Sequence, residues 1–133
     1  MANYLLDTTV IIDCLRGRKE VVDFLTQVVS DGSMVGCCAI NIAEVYAGMR
    51  ENERQVTKKF LDSLEYYEIT RDLAELAGGY KRAHAEKGLT LSLSDVIIAA
   101  VAISNNLTLV TDNLRHYPMS EFNIKQIEAG SRG

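Results

Sequence analysis

The sequence feature that most constrains the fold is an uninterrupted apolar run, 96–103, which directly follows Asp95. The run contains eight residues, whereas a helix needs about 20 apolar residues to span a bilayer. Its alanines favour a helix over a strand, and a helix that is apolar on every side has to be buried. The chain is therefore expected to bury this helix in its core and to keep one carboxylate at the helix N-terminus.

A purely structural role for this aspartate is available. Ser92 and Asp95 have the spacing of a capping box, in which a serine begins a helix and an acidic residue follows three positions later. A carboxylate in the first turn also interacts favourably with the helix dipole. Taken alone, the pattern favours capping, so a chemical role for Asp95 depends on whether other acidic residues lie beside it.

Length and composition indicate a single globular domain over residues 1–133, with a frayed tail from about residue 129. The chain is 47% hydrophobic and 24% charged, which is typical of a folded domain and argues against disorder. No basic segment followed by a long apolar stretch begins the sequence. We therefore expect a soluble, cytoplasmic protein without a membrane segment.

The cysteines argue against both a disulfide framework and a zinc site. Their number is three, which is odd. Cys37 and Cys38 are adjacent in a predicted strand, so their side chains should point to opposite faces of the sheet. The histidines, His84 and His116, complete no zinc-ligand spacing. The net charge of −4 differs from the basic surface of most nucleic-acid-binding proteins, although clustered metal-binding carboxylates would also make a protein acidic.

Short apolar runs alternate with helical patterns along the whole chain. Strands are predicted at 3–6, 33–39, 66–70, 107–110 and 124–127, the last of them at the sheet edge. Helices are predicted at about 10–15, 19–30, 41–49, 51–64, 71–87 and 94–105. Because the strands are nearly continuous apolar runs separated by helices, the pattern predicts a three-layer α/β/α sandwich with a central parallel sheet.

Several local features refine this prediction. Thr8 or Thr9 is expected to cap the first helix, and Asn41 is expected to begin the third. The Gly78–Gly79 pair weakens a helical pattern by about 1 kcal/mol per glycine, which suggests close packing at that point.

Four acidic residues are predicted to meet at one edge of the sheet. Asp7 ends the first strand and Asp112 follows the fourth. Glu44 is expected in the first turn of the helix that leaves the second strand, and Asp95 begins the helix that returns to the fourth. Ligands of open parallel sheets bind beyond the carboxyl ends of the strands, and that is where these positions fall.

Each acid also has a structural alternative, such as a helix cap or a turn. Capping does not require all four on one side of the sheet, however, and clustered carboxylates raise one another's pKa unless a cation intervenes. Oxygen ligands select Mg²⁺ or Mn²⁺, and two such ions about 4 Å apart suit the attack of water on a phosphodiester. Nearby hydroxyls are candidates for orienting the carboxylates or waters, with capping as their alternative role: Thr8, Thr9, Ser94 and Thr111.

Four segments, Leu6–Asp13, Asn41–Gly48, Leu93–Ala100 and Leu109–Asn113, resemble the motifs of PIN-domain proteins. The resemblance is greatest to the VapC-type toxin ribonucleases of toxin–antitoxin pairs. The segments occur in the family's order and extend over nearly the whole chain. The resemblance implies a PIN-like α/β/α fold, cleavage of RNA with Mg²⁺ (or Mn²⁺ in its place), homodimerisation and inhibition by a small antitoxin.

By motif match, Asp7, Glu44 and Asp95 take the characteristic acidic positions, which are both catalytic and metal-binding. The fourth position is open between two residues. The family often has threonine, a variable residue and then aspartate or asparagine, which would select Asn113. Asp112 is the only one of the two that adds charge, so it is included in the predicted catalytic and metal-binding set, with Asn113 as a supporting residue.

Other residues have predicted surface roles. Asp13 is expected to be a solvated helix residue. Three arginines are candidates for contacts with RNA phosphates: Arg16, Arg50 and Arg115.

Three other functions are considered. A receiver-like phosphoacceptor domain would also gather acids at a sheet edge, but the lysine and the middle-strand aspartate that it needs are not evident. A PIN-like module that only binds, without catalysis, is the second alternative, and the third is a nuclease that cuts DNA.

Overall fold

The structure, a computed structural model, describes residues 2–119 and 121–127 and contains a five-stranded parallel sheet. The frayed tail expected from residue 129 lies outside the described residues. The strands run in the order β3-β2-β1-β4-β5. Their bounds are β1 Tyr4–Leu6, β2 Val35–Cys38, β3 Glu65–Tyr67, β4 Thr108–Thr111 and β5 Ile124–Gln126.

Six helices connect and cover the strands. Five of the six predicted helices are recovered with small shifts at their ends. The other predicted helix, at 51–64, is divided into a 3₁₀ turn at Glu51–Glu53 and the shorter helix α4. The bounds are α1 Thr8–Leu15, α2 Lys19–Ser30, α3 Ala39–Gly48, α4 Arg54–Asp62, α5 Arg71–Glu86 and α6 Leu93–Ser104.

Two apolar clusters, one on each face of the sheet, form the core. Alternate strand residues contribute to opposite clusters, as expected when side chains alternate across a pleated sheet. One face packs against α5 and α6, and the other against α1, α2, α3 and α4. The first cluster contains Leu5, Cys38 and Leu109, and the second contains Leu6, Cys37 and Val110. The three-layer α/β/α sandwich is therefore confirmed, as is the opposite orientation of the two adjacent cysteines.

The apolar run that dominates the sequence is the centre of α6. Val96 and the five residues 98–102 are each at most 1% exposed, and α5 packs along this helix. The predicted burial is confirmed. Among the described residues, no helix is long and apolar enough to cross a membrane.

The strand order distinguishes this fold from that of receiver domains. Receiver domains have the order 2-1-3-4-5, whereas β1 here lies between β2 and β4. The receiver-like alternative is therefore wrong at the level of topology. In the observed order, successive crossovers reverse direction between β1 and β4, which is the position where open α/β sheets form a ligand crevice.

Close packing against a glycine occurs at Gly36 and not at the predicted Gly78–Gly79 pair. A Cβ atom on Gly78 or Gly79 would meet nothing within 4 Å, so the expectation of close packing there is wrong. Gly36 of β2 is the crowded position, because a Cβ atom there would lie 2.7 Å from the carbonyl oxygen of Glu65 and would clash with the ring of Tyr67.

Two helix starts differ from the prediction. Asp7, and not Thr8 or Thr9, caps α1, since its side chain accepts a 2.8 Å hydrogen bond from the backbone N–H of Thr8. Helix α3 begins at Ala39 instead of Asn41. Glu44 consequently lies in the second turn of α3, where the first turn was expected.

Asp13 is buried, so the expectation of a solvated residue is wrong. The chain turns at Gly17, which has a positive φ of 72°, and this turn brings Arg18 back to the last turn of α1. Arg18 Nε lies 3.0 Å from Asp13 Oδ1. Asp13 is only 3% exposed, and its ion pair connects the end of α1 to the start of α2.

Candidate active site

A cleft of about 660 Å³ opens at the carboxyl edge of the sheet, and we call it the acidic cleft. The four predicted acids all line it, although they come from four separate parts of the chain. Asp7 and Asp112 follow the neighbouring strands β1 and β4, whereas Glu44 lies in α3 and Asp95 lies in α6. The lining comprises Asp7, Thr8, Thr9, Glu44, Thr90, Leu91, Ser92, Ser94, Asp95, Asp112, Asn113, Arg115 and His116.

Asp7 is the most enclosed of the four acids, with 6% of its surface exposed. One oxygen, Oδ1, accepts the bond from Thr8 N, and Oδ2 accepts a 2.8 Å hydrogen bond from the hydroxyl of Thr111. Burial raises the pKa of Asp7, and the charge of Asp95 adds to this rise, while the hydrogen bonds from Thr111 and Thr8 oppose it. A cation in the cleft would favour the ionised form.

A short chain of hydrogen bonds orients Glu44. The side chain of Asn41 is fully buried, and its Nδ2 donates to the Thr8 hydroxyl oxygen at 3.0 Å. The Thr8 hydroxyl in turn donates to Glu44 Oε1 at 2.6 Å. Because Asn41 supplies a donor, the single hydroxyl hydrogen of Thr8 is directed toward the carboxylate.

Both ends of the Asn41 side chain are used. Its Oδ1 accepts a 2.9 Å hydrogen bond from the backbone N–H of Cys38, at the end of β2. Asn41 thus ties the start of α3 to Thr8 in α1. Sequence reasoning recognised Asn41 only as a helix start and missed this role. The signal was its position three residues before Glu44, on the same side of one helix.

Asp95 has partners that were not predicted. Ser92 caps α6 and accepts a hydrogen bond from Asp95 N at 3.1 Å, so the expected serine cap is present. The Asp95 carboxylate, however, accepts a 3.3 Å hydrogen bond from the Tyr117 hydroxyl, and its other oxygen lies 3.3 Å from His116 Nδ1. The carboxylate therefore faces the turn that follows β4.

Tyr117 lies between two of the acids. It is 3% exposed, and its hydroxyl interacts with both Asp7 and Asp95. Burial raises the pKa of the Tyr117 phenol strongly, and the two neighbouring carboxylates raise it further. Sequence reasoning missed Tyr117 and His116. The available signal was two polar residues shortly after the Thr111–Asn113 motif.

The fourth acid contacts the first helix. Asp112 Oδ1 accepts a 2.9 Å hydrogen bond from the hydroxyl of Thr9. Asn113 also lines the cleft, but its Oδ1 accepts from the backbone N–H of Arg115 at 3.2 Å, and its Nδ2 lies 3.0 Å from His116 Nε2. Both amide atoms of Asn113 therefore have partners within the local turn.

Three of the four predicted hydroxyl residues contact an acid directly: Thr8, Thr9 and Thr111. Ser94 lines the cleft. The three candidate arginines are separated. Arg115 lines the acidic cleft, Arg16 lines a different groove beside α3, and Arg50 is exposed just before the 3₁₀ turn at Glu51–Glu53.

The donor chemistry of the cleft fits a hard divalent cation. All four acids offer oxygen, whereas the buried Cys37 and Cys38 belong to the core clusters. Among residues 2–119 and 121–127, no three acids, histidines or cysteines lie close enough to hold an ion by themselves. Mg²⁺ keeps several waters and commonly binds through one or two carboxylates, so its binding does not require three protein ligands. Asp7 and Asp95 both line the cleft and interact electrostatically, so they form one such pair.

Comparison with known protein families gives one extensive match. The model of the PIN domain matches residues 4–121. Ribonuclease VapC19 of Mycobacterium tuberculosis is 30% identical over 115 residues, which cover 86% of this chain and 92% of the relative. Ribonuclease VapC10 of the same organism is 33% identical over 117 residues, covering 88% and 87%.

Solved structures agree in fold. VapBC2 of Rickettsia felis, crystallised with a DNA fragment from its promoter, matches with a TM-score of 0.81 and 21% identity, covering 94% of this chain and 98% of that one. A toxin–antitoxin complex from Klebsiella pneumoniae matches with a TM-score of 0.72 and 25% identity, covering 92% of this chain and 100% of that one. The five-stranded parallel sheet and its covering helices thus have counterparts over nearly the whole chain.

Proposed function

The chain belongs to the PIN-domain family and, within it, to the VapC type, and from this premise we propose that it is a magnesium-dependent endoribonuclease. It acts as the toxin of a toxin–antitoxin pair and hydrolyses RNA phosphodiester bonds, with Mn²⁺ able to replace Mg²⁺. The observation that carries the proposal is that carboxylates from four distant segments line one cleft. Two relatives that match most of this chain are named as ribonucleases.

The proposed cation sites use the four acids in the cleft: Asp7, Glu44, Asp95 and Asp112. When bound, the cation activates water as a nucleophile and stabilises negative charge on the leaving oxygen. The protein holds its carboxylates still for this purpose. Thr111 and the N-terminus of α1 fix Asp7, and Thr8 directs its hydroxyl to Glu44. Such hydrogen bonds to metal-binding carboxylates keep them oriented before the cation arrives.

We propose Asp112 for the fourth acidic position and a supporting role for Asn113. The Asn113 amide oxygen already caps the following turn, and its nitrogen contacts His116. Asp112 contacts Thr9 at the cleft wall and brings a negative charge that Asn113 lacks. A charged ligand stabilises a divalent cation more than a neutral amide does.

RNA contacts are proposed from the position of the arginines. Arg115 lines the acidic cleft and can reach a phosphate of an RNA strand that enters it. Arg16 and Arg50 lie outside the cleft lining. They can contact only RNA that extends beyond the cleft. The protein is expected to act in the cytoplasm, where its substrate is found.

The proposed partners are a small antitoxin protein and a second copy of this chain. Support for the antitoxin comes from matched structures, which include a toxin–antitoxin complex and VapBC complexes. A short reading frame beside the gene, with a DNA-binding N-terminal half, would supply the antitoxin. Light scattering on the purified protein, alone and with that product, measures homodimerisation and complex formation.

A second candidate is a PIN-like module that binds its partner without catalysis. The presence of all four acids favours the enzyme, because a module that only binds has no need to keep four like charges along one cleft. Cleavage experiments separate the two, since the binding module would leave RNA intact under every condition.

The test is an assay of end-labelled RNA and the matching DNA strand with purified protein in Mg²⁺, in Mn²⁺ and in a chelator. Asp95→Asn is compared with Asp62→Asn, because Asp62 is an exposed acid of α4 outside the cleft. We expect RNA cleavage only with a cation, loss of about 100-fold or more in Asp95→Asn, and wild-type rates in Asp62→Asn. Circular dichroism establishes that both variants are folded.

Three outcomes would contradict the proposal. Cleavage of RNA in the presence of the chelator would show that the reaction does not need a cation. Equal rates of RNA cleavage by Asp95→Asn and Asp62→Asn would show that Asp95 has only a structural role at the start of α6. Preferential cleavage of the DNA strand would replace RNA as the substrate.

A further inference from the structure

The turn that follows β4 contacts both oxygens of Asp95. Tyr117 donates its hydroxyl to Oδ1, and His116 Nδ1 lies 3.3 Å from Oδ2. These two residues are consecutive in the chain, so one short segment determines where the Asp95 carboxylate points. Asn113, in the same turn, contacts the ring of His116. We call Asn113, His116 and Tyr117 the Asp95 clamp.

The hydrogen bonds of Asn113 indicate which ring nitrogen of His116 carries the hydrogen. Asn113 Oδ1 accepts from the backbone N–H of Arg115, which identifies the oxygen end of its amide. Its Nδ2 must then donate to His116 Nε2, 3.0 Å away, so Nε2 has no hydrogen. In this tautomer the ring hydrogen of His116 lies on Nδ1 and is donated to Asp95.

The apolar core holds Tyr117 in place. Its ring belongs to the cluster on the α5 and α6 face of the sheet and makes an edge-to-face contact with Phe122, with 6.4 Å between ring centroids. Because the ring is 3% exposed and has little room to move, its hydroxyl has a fixed position beside Asp95. From there it interacts with Asp95 and with Asp7.

We propose that His116 and Tyr117 are positioning residues that hold the Asp95 carboxylate in one orientation opposite Asp7, ready to bind a divalent cation. The inference rests on the cation role given to Asp95 in the proposed function. Each carboxylate oxygen has two lone pairs, so an oxygen that accepts a hydrogen bond with one lone pair can still bind a cation with its second lone pair. Asp95 therefore does not have to give up its clamp in order to bind the ion.

The physical benefit is preorganisation. Without the clamp, the Asp95 side chain would turn away from Asp7, because two like charges repel, and cation binding would have to reverse that movement. Residues that hydrogen-bond to metal ligands typically change metal affinity by about 10–100-fold when they are replaced. A residue that only fills space would change folding stability and leave affinity unaltered.

The test is a titration of free Mn²⁺, followed by electron paramagnetic resonance, with four variants of the full chain. Tyr117→Phe keeps the ring and removes the hydroxyl. His116→Asn keeps a donor near the position of Nδ1, whereas His116→Gln places its donor nearer Nε2. Tyr66→Phe is the matched control, because Tyr66 is 45% exposed and lies outside the cleft.

We expect Tyr117→Phe and His116→Gln to weaken Mn²⁺ binding by about 10-fold or more. His116→Asn should stay within about threefold of wild type, and Tyr66→Phe should equal it. Wild-type affinity in Tyr117→Phe would overturn the inference, as would equal affinities in His116→Asn and His116→Gln. Absence of Mn²⁺ binding by the wild-type protein would overturn it as well.

RNA cleavage by the same samples separates this inference from the proposed function. If Mn²⁺ affinity follows the expected pattern while no sample cuts RNA, the clamp is supported and the ribonuclease proposal fails. If the wild-type protein cuts RNA and all four variants bind Mn²⁺ equally, the ribonuclease proposal is retained and the clamp is wrong.

Discussion

Thr111, the last residue of β4, donates a 2.8 Å hydrogen bond to Oδ2 of Asp7, which follows β1. The two residues are 104 positions apart in the sequence, and their contact is buried. It exists because β1 and β4 are neighbouring parallel strands whose carboxyl ends lie side by side. The contact joins the site to the centre of the sheet, so a change at either residue should affect stability and chemistry together.

Replacement of Thr111 by valine tests this contact. Thr111→Val keeps the side-chain shape, removes the donor to Asp7 and removes the acceptor for Asn113 N. We expect the free energy of unfolding to fall by about 1–3 kcal/mol, the cost of leaving buried polar groups unpaired. Cleavage should fall by at least about 10-fold, as is typical when a metal ligand loses a supporting hydrogen bond.

Thr111→Ser is the control for that substitution. It retains the hydroxyl and loses only a methyl group, so cleavage should stay near the wild-type rate with a stability loss of about 1 kcal/mol. Equal activity in the serine and valine variants would show that the hydroxyl does not support Asp7.

Asp7 should destabilise the cation-free protein at neutral pH. Burial raises its folded-state pKa above the ordinary value of 3.8, so folding favours the protonated carboxyl. Stability is then lost as pH rises from 3.8 through the raised pKa. Asp7→Asn removes this charge and retains helix capping, because asparagine and aspartate are similar N-caps.

We therefore expect Asp7→Asn in a chelator at pH 7 to be more stable than wild type by on the order of 1 kcal/mol. The difference should shrink as pH falls toward 4, where wild-type Asp7 becomes protonated. Thermal unfolding at several pH values measures both effects. A variant that is less stable than wild type at pH 7 would contradict the electrostatic explanation.

The hydrogen bond from Thr8 to Glu44 predicts that RNA cleavage requires a hydroxyl group at position 8. Thr8→Val removes the 2.6 Å donor to Glu44 and leaves the amide of Asn41 without its acceptor. Cleavage should fall by about 10-fold or more, while Thr8→Ser should retain most activity. Loss of activity in both variants to the same degree would assign the effect to packing.

The glycines give a prediction about the fold alone. Gly79 lies inside α5, and a Cβ atom there has free space, so Gly79→Ala should stabilise the protein by about 0.5–1 kcal/mol. Gly36→Ala should be destabilising, because its Cβ atom would crowd Glu65 and Tyr67 in β3. Chemical denaturation of the two variants measures the contrast. Stabilisation by both substitutions would contradict the crowding at β2.

The sequence was sufficient to predict the arrangement that depends on topology. Short apolar runs alternating with helices predicted the parallel sheet, and the strand ends brought Asp7 and Asp112 to one edge. The buried run of α6 placed Asp95 at the same edge. These inferences needed only the direction of each element and no side-chain detail.

The contacts that depend on the path of turns were not predictable in the same way. Asp13 was assigned to solvent because its partner Arg18 returns only through the turn at Gly17. Tyr117 and His116 reach Asp95 because the chain after β4 forms a 3₁₀ turn at Leu114–His116 beside the cleft. Hydrophobic periodicity carries no information about such turns.

The most direct test of the cation-dependent site is the anomalous scattering of Mn²⁺ in crystals grown with a non-cleavable RNA strand. The account predicts anomalous density in the acidic cleft, in contact with carboxylates of the set Asp7, Glu44, Asp95 and Asp112. It also predicts that Asp95→Asn reduces or removes this density without altering the fold. Density confined to other surfaces, or a cleft that holds RNA and no Mn²⁺, would contradict it.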